Sequence, residues 1–464
     1  MSATAATTFD SLREALRGRV VTPQDTDYDE VRSIYNAMID RRPAAIARCA
    51  GAADVRTTLA FARETGIDLA VRGGGHSGPG LCLVDGGLTL DLSPMRWVRV
   101  DPETETAQVG GGAELADLDH ETHAFGLGVP AGIMSTTGVG GLTLGGGHGH
   151  LTRAYGLTID SLIAADVVLA DGTLVTATDK EHPDLLWALR GGGGNFGVVT
   201  SFTFRLRPVH TVGVAVTVWP VDRTAEVLRW YREFLPAAPE SLNGFFAVLT
   251  VPPGPPFPEP IHGQKMCAVI WCYTGDPEPG RLEDVLSVVN EPAPPAFHFT
   301  TPMPYPALQT LFDGLMPKGL QWYWRGDFFD GIPDDAVAVH ERYAHTLPTP
   351  LDNAPLPRGR GRPPGRPRRH GLGLPGRRLV RRHRRHRPRP RQRRPHPPVV
   401  RRLLDRPAPA LHGRLVRQLP RRVRGPRTRP LHLPGQLRPP DHDQTRLRPG
   451  QLLPRHPEHP PSAA

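Results

Sequence analysis

Apolar positions recur with two different periods along the first 350 or so residues. In "DVRTTLAFARETG", Val55, Leu59 and Ala62 fall on one helical stripe, and Gly66 follows as a left-handed cap. The apolar runs on either side, "AAIARCA" and "DLAVR", complete a strand-helix-strand unit. "LTLDL", "WVRV" and "TAQVG" predict three strands, and a helix is expected from about Glu114 to His123. "AADVVLADGTLVTAT" reads as a hairpin whose Asp171-Gly172 pair suits a two-residue primed turn. "FTFRL" alternates Phe202, Phe204 and Leu206 with Thr203 and Arg205, the pattern of a half-buried strand. Beyond Pro208 the runs lengthen: "TVGVAVTVW", "GFFAVLTV", "CAVIWCY" and "LQWYWRGDFF" predict strands, and "RTAEVLRWYREFL" predicts a helix. Strands and helices in that order predict a second, α+β unit with a boundary near residue 208.

The patterning stops near residue 354. From Pro355 to Ala464 the chain holds 31 Arg and 24 Pro but no Phe, Tyr, Trp, Ile, Met, Lys, Asn or Cys. The formal net charge of +10 divides into +27 for this tail and −17 for everything before it. The basicity that would point to nucleic acid therefore belongs to the tail alone. With so few large apolar groups, burial cannot offset the entropy of ordering, and residues 355–464 are expected to be disordered. Their composition is that of a G+C-rich gene read out of frame, so a frameshift near codon 354 is the expectation. The competing reading, an arginine-rich nucleic-acid-binding tail, lacks the lysines and stacking aromatics of such segments; its charge would bind nucleic acid nonspecifically. The first twenty residues contain no apolar block of about 7–15 residues, so neither a signal peptide nor a membrane span is expected, and a cytoplasmic location is. Cys49 and Cys82 are isolated, and Cys267 and Cys272 lie an odd number apart on a strand and point to opposite faces, which leaves no disulfide framework.

Three glycine-rich loops fall in the first 200 residues: "RGGGHSGPG", "TTGVGGLTLGGGHG" and "RGGGGNFG". Gly73, Gly75 and Gly78 have G-x-G-x-x-G spacing after an apolar strand, and Gly192, Gly194 and Gly197 repeat it. A dinucleotide cradle of the Rossmann kind needs a helix opening on those glycines. After Gly78 come Pro79, Gly80 and strand-like runs; before Gly192 comes a helix and after Gly197 a strand, the reverse context. Both matches fail. Any one loop reads as a tight turn, but three together favour backbone amides approaching one extended anionic ligand.

The order "AVRGGGHS", "PAGIMSTTGVGGLTLGGGHGHLTRAYGLTIDSL" and "HPDLLWALRGGGGNFGVVTSFTFRL" resembles the FAD-linked oxidases of the berberine-bridge-enzyme-like group, within the vanillyl-alcohol-oxidase/PCMH flavoprotein superfamily. The resemblance covers about residues 38–210 closely and 211–354 more loosely. It implies an α+β protein: a helical lead-in (1–37), a PCMH-type FAD-binding domain of two subdomains (38–208), and an α+β substrate domain with an antiparallel sheet (209–354). It implies that Arg72, Gly73, Gly74, Gly75, His76, Ser77 and Gly78 wrap the FAD pyrophosphate through backbone amides. The second loop would add Gly132, Thr136, Thr137, Gly138, Gly140, Gly141, Gly146, Gly147, His148 and Gly149, and the third Asn195 and Val199. His76 stands where relatives bond covalently to the 8α carbon of the flavin, and a neutral imidazole nitrogen is suited to that addition. Many relatives carry a second link from a cysteine at the position of Met134; a thioether is no nucleophile, so a single histidyl bond is expected.

The implied activity is hydride transfer from an alcohol or amine of a small molecule to FAD and then to O2, with a base taking the proton. Relatives use a tyrosine or a carboxylate as that base, often from a closing segment that carries tyrosine and an asparagine-rich stretch, and this chain has neither Tyr nor Asn after Asn353. Tyr323 and Arg325 are the catalytic candidates, since strand alternation would turn them together away from Trp322 and Trp324. The alternative is a catalytically inactive flavin-fold protein with a nucleic-acid-binding tail. His148 and His150 have the spacing of two metal ligands on one strand face, but no third ligand lies near, so a loop role beside the flavin is expected and no metal. His120 to His123 read as a solvated helix face.

Overall fold

The computed structural model describes residues 2–349, apart from 277, 327, 328 and 330, together with the backbone of 356–357. Apart from that backbone pair, the tail expected to be disordered (355–464) lies outside the described residues.

The first sheet takes β1 (Arg19–Val21), β2 (Ala45–Arg48), β3 (Leu69–Arg72) and β4 (Leu88–Asp91) in the order β1-β2-β4-β3. β2, β4 and β3 run parallel, which requires two crossovers: the helix Ala52–Thr65 joins β2 to β3, and residues 73–87 join β3 to β4. Val55, Leu59 and Ala62 are buried together with Leu69, Leu88 and Leu90; burial of a Val or Leu of this kind is worth about 1.5–3 kcal/mol. Gly66 ends the helix at φ +69°. The residues expected only to lead in therefore also build: β1 is an edge of this sheet, paired antiparallel with β2.

The second sheet is antiparallel, with β5 (Val98–Asp101), β6 (Thr106–Gly110), β8 (Leu162–Val168), β9 (Leu174–Ala177) and β10 (Val198–Arg205) in the order β5-β6-β10-β8-β9. Phe202, Phe204 and Leu206 lie in its core. The hairpin between β8 and β9 differs from expectation. Gly172 donates to Leu169 and Leu169 donates to Thr173, so three residues form the loop, and Gly172 at φ +87° takes the bulge position. A short ribbon of β7 (Leu127–Gly128) and β11 (Arg207–Pro208) leads out of this layer.

The third sheet holds β12 (Thr211–Pro220), β13 (Leu242–Thr250), β14 (Lys265–Tyr273), β15 (Phe297–Pro304) and β16 (Leu356–Pro357), in the antiparallel order β15-β12-β14-β13-β16. The helix Thr224–Ala237 covers one face, with Tyr231 against Phe246 and Trp271. Cys267 and Cys272 enter different clusters on opposite faces of β14. β15 escaped the sequence reading because Pro302 and Pro304 interrupt it, and such prolines are tolerated at an edge, where no ladder bond is lost. The strand expected over "LQWYWRGDFF" does not form: residues 321–326 have no regular structure. The N–H and C=O of Trp322 are bonded instead to the side chain of Asn36, so its aromatic alternation reflects ring stacking and not a pleat.

Candidate functional site

β3 delivers the first glycine loop and β4 holds its root. The Arg72 guanidinium donates to both oxygens of Asp91, at 3.0 and 2.6 Å, and to the carbonyl of Val31. Asp91 is fully buried and also accepts from the N–H and Oγ of Ser93. Arg72 thus spends its side chain as a strut beneath the loop and can offer a ligand only its backbone.

From this root the chain turns through Gly75 at φ +70° to His76. A Cβ at Gly74 would stand 2.6 Å from the Cα of Gly138, and this mutual approach welds the first loop to the second. The second loop is fixed in turn by Val139 N–H to the Ala113 carbonyl and Leu115 N–H to the Thr137 carbonyl. The short helix Val139–Leu144 then runs to the third loop, where Gly193 N–H donates to the Leu144 carbonyl at 3.1 Å. The three loops therefore form one seam, spaced by six helical residues or about 9 Å.

The glycines of this seam serve two purposes. Gly149 leaves 1.8 Å between a Cβ and the Ala131 carbonyl, and Gly147 leaves 2.1 Å to Thr158 Oγ1; both are bare because neighbouring chain occupies the space. Gly132 and Gly140 pack likewise on Leu115 and on the Gly111 carbonyl. Gly75, Gly78 and Gly141 have no such crowding, and Gly73 and Thr137 are partly open. Thr136 is exposed and Gly146 buried; Asn195 is half-buried, while the Val199 side chain lies in the core of the second sheet. Ser77 Oγ accepts from Leu81 N–H and caps the turn.

His76 is the chemical centre of the seam. Its Nε2 is buried and meets no hydrogen-bond partner among the described residues. Burial lowers its pKa to about 4, so the ring is neutral at physiological pH and keeps a lone pair. A buried, unpartnered nitrogen on a glycine loop fits a group that bonds to it. His148 and His150 occupy the same seam, with pKa values lowered by burial to about 4 and about 3. Both rings stand edge-on to Phe245 of β13, and Asn243 Nδ2 donates to the carbonyls of Gly149 and His150, so this loop docks onto the third sheet. Among the described residues no three His, Cys, Asp or Glu side chains gather as a metal site. His120 is exposed as expected, but His123 stacks on His210 at 4.3 Å.

Tyr323 and Arg325 are brought together: Arg325 Nε donates to the Tyr323 hydroxyl at 2.8 Å. The neighbouring Trp324 ring lies 3.8 Å from where a Gly78 Cβ would be, which sets this segment against the first loop. Sequence reasoning missed three further residues: Tyr35, whose ring stacks on His76; Asn36, which donates to the Gly78 carbonyl; and Asp313, which accepts from the N–H and Oγ of Ser135. No spacing signal could have found them, because their partners lie about 40 to 180 positions away.

One buried acid stands behind the second loop, on the helix Leu115–His123. Burial pushes Asp119 up to about 7, with Gln309 opposing weakly. In the unfolded chain this carboxyl ionises near pH 3.8, so its burial costs stability that grows as pH rises to about 7 and is then constant. Asp119→Asn is expected to be stabilising, by an amount that increases by about 3 kcal/mol between pH 5 and pH 8. Denaturant unfolding at the two pH values measures it; an equal effect at both would show that the folded protein does not hold the proton.

The family pattern described as an FAD binding domain matches residues 43–178. The chain is 36% identical over 330 residues to an FAD-linked oxidoreductase of Dictyostelium discoideum, covering 70% of this chain and 69% of that protein. Several other curated relatives match over about half of their own length. The structure of 6-hydroxy-D-nicotine oxidase from Arthrobacter nicotinovorans superposes with a TM-score of 0.64 at 26% identity, covering 72% of each chain. That of the berberine-bridge-enzyme-like protein 1 of Physcomitrella patens shares the fold, with a TM-score of 0.63 at 24% identity over 73% of this chain and 74% of that one. Among the described residues no helix is long and apolar enough to cross a membrane. With the glycine seam closing around a neutral histidine, these likenesses place the chain among the FAD-linked oxidoreductases.

Proposed function

We propose that the protein is an oxidase that takes hydride from an amine or alcohol carbon of a small molecule and delivers the electrons to O2, with FAD held by one covalent bond at His76. The observation that carries this reading is the buried, unpartnered Nε2 of His76 on an open glycine loop. When bound, FAD supplies the two-electron acceptor. Backbone amides of Gly73 to Gly78 and of Gly138, Gly140 and Gly141 are suited to its diphosphate, since nests of donors hold anions without a helix dipole. His76 holds the lone pair that bonding requires, and Met134, buried beside Tyr35, has no thiolate with which to form a second link.

In this reading residues 38–208 bind FAD and residues 209–354 face the substrate. Tyr323, as the phenolate, takes the substrate proton at its oxygen, and Arg325, hydrogen-bonded to that oxygen, places a cation beside the negative charge it carries beforehand. The docking of His148 and His150 against Phe245 excludes water from the seam between the two parts.

The similarity to 6-hydroxy-D-nicotine oxidase makes cyclic amines the first substrates to try, followed by secondary alcohols and oligosaccharides. In an oxygen electrode, one class is expected to consume O2 with an equal yield of H2O2, and to bleach the yellow enzyme when O2 is absent. A yellow protein that no member of the panel bleaches, but that passes electrons from NADH, would refute the assignment.

A further inference from the structure

Residues 35–37 thread between the first glycine loop and the segment 316–322, bonded to both sides. Tyr35 N–H donates to the Gly75 carbonyl at 3.0 Å, one residue before His76, and the Tyr35 carbonyl accepts from Gly319 N–H at 3.0 Å. Its hydroxyl donates to the Met316 carbonyl at 2.7 Å. Asn36 ties the Gly78 carbonyl to both backbone groups of Trp322. So held, the Tyr35 ring lies face to face with the His76 imidazole, with centroids 3.8 Å apart and planes 24° apart. Trp322 stacks on Tyr35 in turn, at 6.1 Å and 15°. Tyr35, Trp322, Met134 and Met316 form one buried cluster.

We propose that Tyr35 is a positioning residue for attachment of FAD: its ring fixes the rotation of the His76 imidazole so that the bonding nitrogen meets the 8α carbon. This inference rests on the histidyl reading above. In the bond-forming reaction the 8α-methyl group gives up one hydrogen and the imidazole its N–H hydrogen, and a C–N bond replaces them. The two protons and two electrons released pass to O2, which leaves as H2O2. Nitrogen must approach carbon in the plane of its own ring, and rotation about the Cβ–Cγ bond sweeps the lone pair away from that line. A face-stacked aromatic opposes this rotation. The Tyr35 hydroxyl has a different task, anchoring the ring to the Met316 carbonyl.

The test uses full-length apoprotein from riboflavin-limited cells, mixed with FAD in air. Flavin that stays with acid-precipitated protein reports coupling, and quenching of flavin fluorescence reports binding. In Tyr35→Leu and Tyr35→Met the coupling rate at saturating FAD is expected to fall roughly ten- to hundredfold, with half-saturation unchanged. Tyr35→Phe, which keeps the stacked face, is expected to couple at nearly the wild-type rate. Wild-type coupling in the Leu or Met variant overturns the proposal. So does parallel loss of FAD binding in both, which would mark a structural role, or a Phe variant as slow as Leu. Wild-type protein that binds FAD but never forms an acid-stable bond refutes the histidyl reading itself, an outcome distinct from failure of Tyr35 alone.

Discussion

Acid precipitation of His76→Ala is expected to release all of its flavin, whereas wild-type protein stays yellow and its tryptic peptide around residue 76 gains the mass of the cofactor. FAD binding itself should survive, because the diphosphate is assigned to backbone amides that the substitution does not touch. Catalysis should suffer selectively. A covalent bond at the 8α carbon is expected to raise the flavin's reduction potential, and for a two-electron couple every ~30 mV is a factor of ten in the equilibrium. Turnover of the least activated substrates should therefore fall by about tenfold or more, and that of easily oxidised ones by less. Redox titration and steady-state rates on a substrate series check this. Acid-stable flavin in His76→Ala, or an unmodified peptide in active wild-type protein saturated with FAD, would dismantle the assignment.

Arg72→Met is expected to destabilise the apoprotein by about 3–5 kcal/mol, because it strands the Asp91 carboxylate in a fully buried position. Arg48, 3.4 Å from the same carboxylate, is a partial substitute that is itself partly exposed, so it should recover only part of the loss. Pairing Arg72→Met with Asp91→Leu should cost less than the sum of the two changes, since no charge is then left unpaired. The measurement separates two roles for Arg72. As a strut, its loss appears in denaturant unfolding without cofactor; as a phosphate ligand, it would leave apoprotein stability unchanged and weaken FAD binding.

Features governed by neighbours in sequence were legible. The stripe of Val55, Leu59 and Ala62, its glycine cap, and the long strands β12, β13 and β14 follow from periodicity, because a side chain's face is set by its distance along one helix or strand. The rejection of a Rossmann cradle was equally local: no helix begins after Gly78, and β4 follows it in the structure. Where local rules compete, reading failed. The Asp171-Gly172 pair permits either a two-residue or a three-residue loop, and the strand register selected the latter. The aromatic alternation at 322–324 fits either a pleat or a stack, and Asn36, 286 positions away, took the backbone groups a strand would need.

By itself, then, the amino-acid order determined most of the secondary elements, the three bare loops and the histidine placed among them, since each depends on spacing over a few residues. Only the tertiary structure decided which glycines yield to neighbouring chain and which stay open, that Arg72 serves Asp91, and that Tyr35 lies on His76. Those outcomes depend on where chain closure brings segments tens to hundreds of positions apart, and no periodicity along the sequence encodes the distance between them.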